Sequence, residues 1–314
     1  MRYQLMWAAC VTAATSVAGA QATAPPPRAL DFFVIGDWGR EGGGFQTKVA
    51  TQMAAAATRQ PQAFIISLGD NFYETGVHSI ADKQFRTSFE NVYSAPSLQV
   101  PWYVALGNHD YQGDPQIQIA YTRVNTRWHM PARYFSVVQK IDDSTSAEFF
   151  FIDTSPFITE YRKESKYARL AHADTRPQLR WLDSAMAAST AQWKIVAGHH
   201  PVYSASPKHG NTPELVHDLI PLLEKYHAQV YLSGHDHNLQ DERAGHVEYL
   251  ISGGGSEARE AGHDAHTRWS ATSAGFLAVQ LTAGTMRATF IDPAGKTLYT
   301  TTVPRVSGAT VSAH

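Results

Sequence analysis

Short apolar runs recur along the chain, and each one stops at a glycine followed by polar residues. Leu30–Ile35 leads into Gly36-Asp37, residues 63–68 into Gly69-Asp70-Asn71, and residues 102–106 into Gly107-Asn108-His109-Asp110. Later, residues 194–197 lead into Gly198-His199-His200, and Val230–Ser233 into Gly234-His235-Asp236-His237. Apolar runs of this length, bounded by glycine, predict buried strands. Helical spacing lies between several of them. Phe45, Val49, Met53 and Ala56 repeat at the helical period, as do Leu179, Leu182 and Met186. Thr212 followed by Pro213 predicts an N-cap with proline at the first helical position, and Leu215, Leu219, Leu222 and Leu223 follow as one apolar stripe.

Alternating strands and helices predict an α/β fold with helices on the outside. Polar residues at the carboxyl ends of strands gather in such folds, so the five clusters are expected to converge. Residues 276–281, 286–291 and 297–303 read as strands joined by Ala283-Gly284 and Pro293-Ala294-Gly295, a C-terminal meander of hairpins. The expected architecture is a β-sandwich flanked by helices, formed as one domain over residues 30–305.

The ends read differently. Arg2, a mostly apolar stretch over residues 5–18, and Ala18-Gly19-Ala20 make residues 1–20 a signal peptide, too short for a membrane span. Residues 21–29 are a Pro-rich linker, and residues 306–314 a small, polar tail expected to fray. Cleavage after Ala20 removes Cys10, the single cysteine, so the mature chain forms no disulfide. No Asn-x-Ser/Thr site is present. These features point to export into a bacterial periplasm or the medium, with no stable membrane insertion after cleavage.

Composition narrows the chemistry. The chain has 314 residues, and a formal net charge of −2 gives no basic field for nucleic acid. Fifteen histidines stand against that one cysteine, so any metal must be held by imidazole, carboxylate and amide. Asp37, Asp70, Asn108, His199, His235 and His237 are such donors, suited to iron, zinc or manganese. His235 and His237 flank one residue, so an extended segment presents both on one side. An aspartate directly after a strand can bridge two metals, and a metal pair clamps the attacking and leaving oxygens of phosphoryl transfer. Tyr73, three residues after Asp70, offers a phenolate, a strong ligand for ferric iron and a poor one for zinc. Asp37, Asp70, the phenolate and a bridging hydroxide, set against a trivalent and a divalent cation, leave a positive excess that attracts a phosphate ester.

Gly36-Asp37-Trp38-Gly39, Gly69-Asp70-Asn71-Phe72-Tyr73, Gly107-Asn108-His109-Asp110, Val196-Ala197-Gly198-His199 and Gly234-His235-Asp236-His237 resemble, in order, the five motif blocks of the purple acid phosphatases. These belong to the calcineurin-like metallophosphoesterases, and the likeness is strongest to the small, tartrate-resistant type, notably over residues 196–204 and 234–240. It spans residues 28–305. The resemblance implies that Asp37, Tyr73 and His237 bind Fe(3+), that Asn108, His199 and His235 bind a divalent ion (Fe, Zn or Mn), and that Asp70 bridges. It implies that His109 contacts substrate and protonates the leaving alkoxide, and that His209 is a second outer histidine, on a segment one residue longer than the family's. His200 stands where the mammalian enzymes tend to have tyrosine, and the mammalian disulfide cannot form.

The implied function is an acid phosphatase, a monomer, that hydrolyses small phosphoric monoesters by in-line attack of a metal-bound hydroxide. The same fold also serves phosphodiesterases and nucleotide hydrolases, with residues 156–173 and the loop after Gly253 shaping the pocket. A non-catalytic phosphate or metal binder is disfavoured because every ligand position is filled. Other polar residues have plainer readings. Asp110 is expected to orient or cap, and Asp153 to cap. His217 and His227 are placed on a helix surface, His78, His129, His172 and His246 are structural or solvated, and His263 and His266 are placed at a pocket rim.

Overall fold

The computed structural model describes residues 28–305. The leader, most of the Pro-rich linker and the tail expected from the sequence lie outside the described residues. Fourteen strands form two seven-stranded sheets. The chain first lays down β1 (Leu30–Ile35), β2 (Phe64–Ser67), β3 (Trp102–Val104) and β4 (Trp128–His129) in the first sheet. It then builds the second from β5 (Phe135–Lys140), β6 (Ser146–Phe151), β7 (Trp193–Ala197), β8 (Val230–Ser233), β9 (Leu239–Ala244), β10 (Val247–Ser252) and β11 (Thr267–Ala271). It returns to the first with β12 (Phe276–Leu281), β13 (Thr285–Ile291) and β14 (Thr297–Pro304), the expected meander.

The first sheet has the order β14-β13-β12-β1-β2-β3-β4, the second β11-β9-β10-β8-β7-β6-β5. The centre of each sheet is parallel: β1 to β4 in one, β6, β7, β8 and β10 in the other. Parallel strands need coverage on both faces, and alternation along the strands supplies it. Phe149, Ile195, Leu232 and Leu250 face the opposite sheet and join Phe32 and Phe64 in one core. Phe32 meets Phe149 edge to face at 5.3 Å. The neighbouring Phe150, Val196, Tyr231 and Tyr249 face outward and pack under helices.

Five α-helices are present among the described residues: α1 (Gln46–Arg59), α2 (Pro115–Tyr121), α3 (Arg176–Ala188), α4 (Pro213–Asp218) and α5 (Ile220–Lys225). Helix α1 buries Val49, Ala50, Met53 and Ala57 against the first sheet. Phe45, read from its spacing as part of that stripe, instead caps the helix and is 37% exposed. Leu182 and Met186 of α3 are buried as the pattern requires. The stripe after Thr212 is two helices, not one. Pro221 lies at the start of α5, where a prolyl nitrogen cannot donate to the preceding turn, so the helix breaks at Leu219. Thr212 precedes α4 in extended conformation, but its side chain makes no capping bond.

Candidate metal centre

Each of the five polar clusters follows a parallel strand: β1, β2, β3, β7 and β8. The loops turn sharply there, and Asp37 (φ 60°), Asp70 (φ 49°) and His235 (φ 66°) all occupy the left-handed region. Such conformations cost energy for a residue with a Cβ, and surrounding structure must hold them. Backbone bonds do so: the Asp37 amide donates to the Gly69 carbonyl (3.0 Å), and the Gly234 amide to the His199 carbonyl (2.9 Å). Trp38 anchors the first loop, fully buried among Phe72, Phe89, Tyr93, Trp102 and Trp128, with its indole N–H donating to Ser67 Oγ at 2.8 Å. Gly39 is required beside it, because a Cβ there would stand 1.8 Å from the Asn71 carbonyl oxygen.

The side chains meet in two adjoining knots. In one, the Tyr73 hydroxyl lies 3.0 Å from each of Asp37 Oδ1, Asp70 Oδ2 and His237 Nε2. In the other, His199 Nε2 lies 3.1 Å from Asn108 Oδ1 and 3.2 Å from His235 Nδ1, which is itself 3.1 Å from Asn108 Oδ1. Asp70 reaches both, since its Oδ1 is 3.5 Å from His199 Nε2.

The donor set fits cations, and the protons show why. His199 Nδ1–H donates to the Leu68 carbonyl (2.9 Å), which leaves the Nε2 lone pair facing the second knot. The Asn108 amide nitrogen donates to the Tyr167 hydroxyl (2.9 Å), so its oxygen faces the same point. His237 Nδ1–H donates to Glu257 (2.8 Å), so its Nε2 lone pair faces Tyr73. Lone pairs from several acceptors thus converge on two points with too few hydrogens to separate them, the arrangement a pair of cations satisfies. Asp37, Asp70 and His199 present ligand atoms within 4.8 Å of one another, and so do His199, His200 and His235. His200 is a poor ligand despite this. Its Nδ1 is engaged by Thr154 Oγ1 (2.8 Å) and its Nε2 by the Tyr161 hydroxyl (3.0 Å).

Burial and charge act against each other here. Burial raises the Asp70 carboxyl, but His199, His109 and His237 outweigh it and hold it below its usual value. Burial opposes charging of His199, yet Asp70 and Asp37 lift it above the usual imidazole value. His235, buried among His200, His199, His209 and His237, is held well below it. Burial, with Asp37 and Asp70 adding, pushes the Tyr73 phenol far up, while Arg40 pulls the other way.

A cavity of about 690 Å³ opens over the two knots. His109 sits on its wall with its ring 4.4 Å from that of Tyr73 and its Nδ1 2.5 Å from the Glu74 carbonyl oxygen. His209 also lines the cavity, with Nδ1 bonded to Asp236 (2.7 Å) and its ring stacked on His235 at 4.3 Å. Lys208 and Arg259 supply positive charge to the cavity wall, and Tyr161 and Tyr167 also line it. Tyr161 and Tyr167 fall within residues 156–173, and Glu257 and Arg259 within the loop after Gly253, the two segments expected to shape the pocket; Lys208 and Arg40 carried no such signal.

Several outlying residues fall elsewhere. Asp110 accepts from the Gly107 and Asn71 amides, bracing the loop below Asp70. Asp153, read as a cap, is buried and accepts from the Tyr111 hydroxyl; burial lifts its carboxyl to about 7, against the opposing Tyr111 bond, Arg133 charge and Ser155 amide. His263 and His266 do not reach the rim: His266 packs on Tyr203 at 4.1 Å, and His263 lies 3.4 Å from Ser270 Oγ. The Gly253-Gly254-Gly255 loop does approach the site. A Cβ on Gly253 would lie 2.2 Å from the Asp236 carbonyl oxygen and 3.0 Å from Asp37 Oδ2.

Comparison with known proteins bears on this arrangement. Residues 30–239 match the model of the calcineurin-like phosphoesterase family. Purple acid phosphatase 4 of Arabidopsis thaliana is 37% identical over 87% of this chain and 83% of its own length. Tartrate-resistant acid phosphatase type 5 of Sus scrofa is 38% identical over 90% of this chain and 89% of its own. Among solved structures, the purple acid phosphatase PPD1 of yellow lupin superposes with a TM-score of 0.65 at 15% identity, covering 89% of this chain and 54% of that one, a likeness of fold alone.

Proposed function

Because this chain belongs to the purple acid phosphatases within the calcineurin-like phosphoesterase family, and is thus a phosphoric ester hydrolase, we propose that it cleaves small phosphoric monoesters at two unlike metals. Asp37, Tyr73 and His237 would hold Fe(3+), Asn108, His199 and His235 a divalent Fe, Zn or Mn, with Asp70 shared. The convergence of seven lone-pair donors on two adjoining points, bridged by the two oxygens of Asp70, carries this reading. Held by these residues, the two cations would supply Lewis acidity toward the phosphoryl oxygens.

The chain's own residues do the rest. Lys208 and Arg259 draw the anionic ester into the cavity and orient it. His109 has Nδ1 tied to the Glu74 carbonyl, so its remaining nitrogen is available to give a proton to the leaving alkoxide. Asp236 holds His209 in one orientation to share that contact. Tyr161 and Tyr167, their ring centroids 4.2 Å apart, add aromatic surface to the cavity wall.

We further propose that the protein is exported, to a bacterial periplasm or the medium, and acts as a monomer without nucleic-acid or membrane partners. No helix among the described residues is long and apolar enough to cross a membrane. The leader, its lone cysteine and the missing glycosylation site support export by this route.

Metal analysis with a visible spectrum of the mature protein tests the centre. A phenolate-to-iron charge-transfer band is expected, and iron-loaded, active protein without it would reject Tyr73 as a ligand. Asp70→Ala should abolish metal retention and turnover together; unchanged turnover sinks the two-metal mechanism. Rates on simple monoesters and diesters decide substrate class, and much faster diester cleavage overturns the monoester reading.

A further inference from the structure

One side chain outside the expected ligands touches the site in an unusual way. The Arg40 guanidinium carbon lies over the Tyr73 ring, 4.0 Å from its centroid. Arg40 is not free to leave. Its Nη1 donates to Glu74 at 2.6 Å and its Nη2 to Glu257 at 3.1 Å. Glu257 also accepts from His237 Nδ1 and from Arg259, both at 2.8 Å. A single carboxylate therefore joins the cation over one ligand of the Tyr73 knot to the ring of another. Arg40 is mostly buried, with a side chain 23% exposed, so solvent screens its charge only in part.

We propose that Arg40, clamped on the Tyr73 ring by Glu74 and Glu257, is a positioning residue that sets how strongly Tyr73 donates to iron. The inference rests on the reading of Tyr73 as a phenolate ligand. A cation over an aromatic face stabilises the electrons of that ring, and the more so when the oxygen carries negative charge. A stabilised phenolate gives up its electrons less readily. Charge transfer to iron then needs more energy, and the ferric state is favoured less over the ferrous. The guanidinium is planar and its carbon sits over the ring face, a contact that an ammonium does not reproduce. Arg40 thus moves the colour and the iron potential without supplying a ligand atom.

The test uses the full metal-loaded protein and compares wild type with Arg40→Gln and Arg40→Lys. In Arg40→Gln the visible band should shift to longer wavelength and the one-electron iron potential, read by spectroelectrochemical titration, should fall, with iron content unchanged. Arg40→Lys should lie between. Should Arg40→Gln not fold, Glu74→Gln loosens one clamp at an exposed side chain and should move the band the same way by less. A wild-type band at the same position in Arg40→Gln, or in Glu74→Gln where that stands in, overturns the inference and leaves the metal centre intact. A wild type that binds iron without any such band overturns the reading of Tyr73 itself.

Discussion

At the scale of single residues, the site depends on side chains that sit in costly conformations and are held there by neighbours. Asp37 accepts from the His235 amide at 2.9 Å, and Asp70 from the His109 amide at 2.8 Å, so each carboxylate braces a loop from another strand as well as facing the knots. This coupling separates two kinds of mutant. His109→Ala removes a group on the cavity wall and leaves the knots in place. It should lower kcat by roughly 100-fold or more while metal content, measured by elemental analysis, stays near wild type. Gly253→Ala should do the reverse. Its Cβ would press on the Asp236 carbonyl and toward Asp37 Oδ2, and backbone cannot yield as a side-chain tip can. A loss of about 2–3 kcal/mol is expected, read as a lower urea midpoint together with weaker metal retention.

At the scale of elements, strand β9 carries an unusual load. Glu242 is fully buried. Burial lifts its carboxyl from 4.5 to about 8, with Asp264 and Asp241 adding and the Thr267 hydroxyl opposing. A carboxyl raised in the folded state binds its proton more tightly folded than unfolded. Its contribution to stability is therefore complete below the unfolded value near 4.5 and is lost as pH rises toward 8. The fold should be firmer in acid than at neutrality. Thermal unfolding should show the midpoint falling by several degrees between pH 5 and pH 8, at about 2–4 °C per kcal/mol. Glu242→Gln should flatten that slope, and an unchanged slope would assign the buried charge elsewhere. Elements also show where local pattern misleads. The leucine stripe after Thr212 has the right period for one helix, yet Pro221 divides it. Phe45 fits the period of α1 but lies at its N-terminal end as the cap, 37% exposed.

At the scale of the whole molecule, two sheets bring five loops to one end of the sandwich, and the knots tie the sheets together. Asp37, Asp70, Tyr73, Asn108 and His109 come from loops of the first sheet, and His199, His235 and His237 from the second. Cations bound across that seam stabilise the folded state by mass action. Stripping the metals with a chelator should lower the thermal midpoint by several degrees, and restoring iron with a divalent metal should recover it; equal midpoints for loaded and stripped protein would contradict a centre that spans both sheets. The strand ends, with their Gly-Asp and Gly-His clusters, were legible because each needs only a few consecutive residues to declare itself: an apolar run for burial, glycine for the turn, a donor after it. The hairpin meander was legible for the same reason. Those local patterns settled the class of fold and the residues that would meet. They left open how the strands are ordered, with β12 returning antiparallel beside β1, and which side chains stand behind the donors. Arg40 finds Glu257 across 217 residues, and Asn108 finds Tyr167 across 59. Such pairings have no period and no fixed spacing. They exist only because packing the two sheets carries distant loops to the same end, so the folded chain alone decides them.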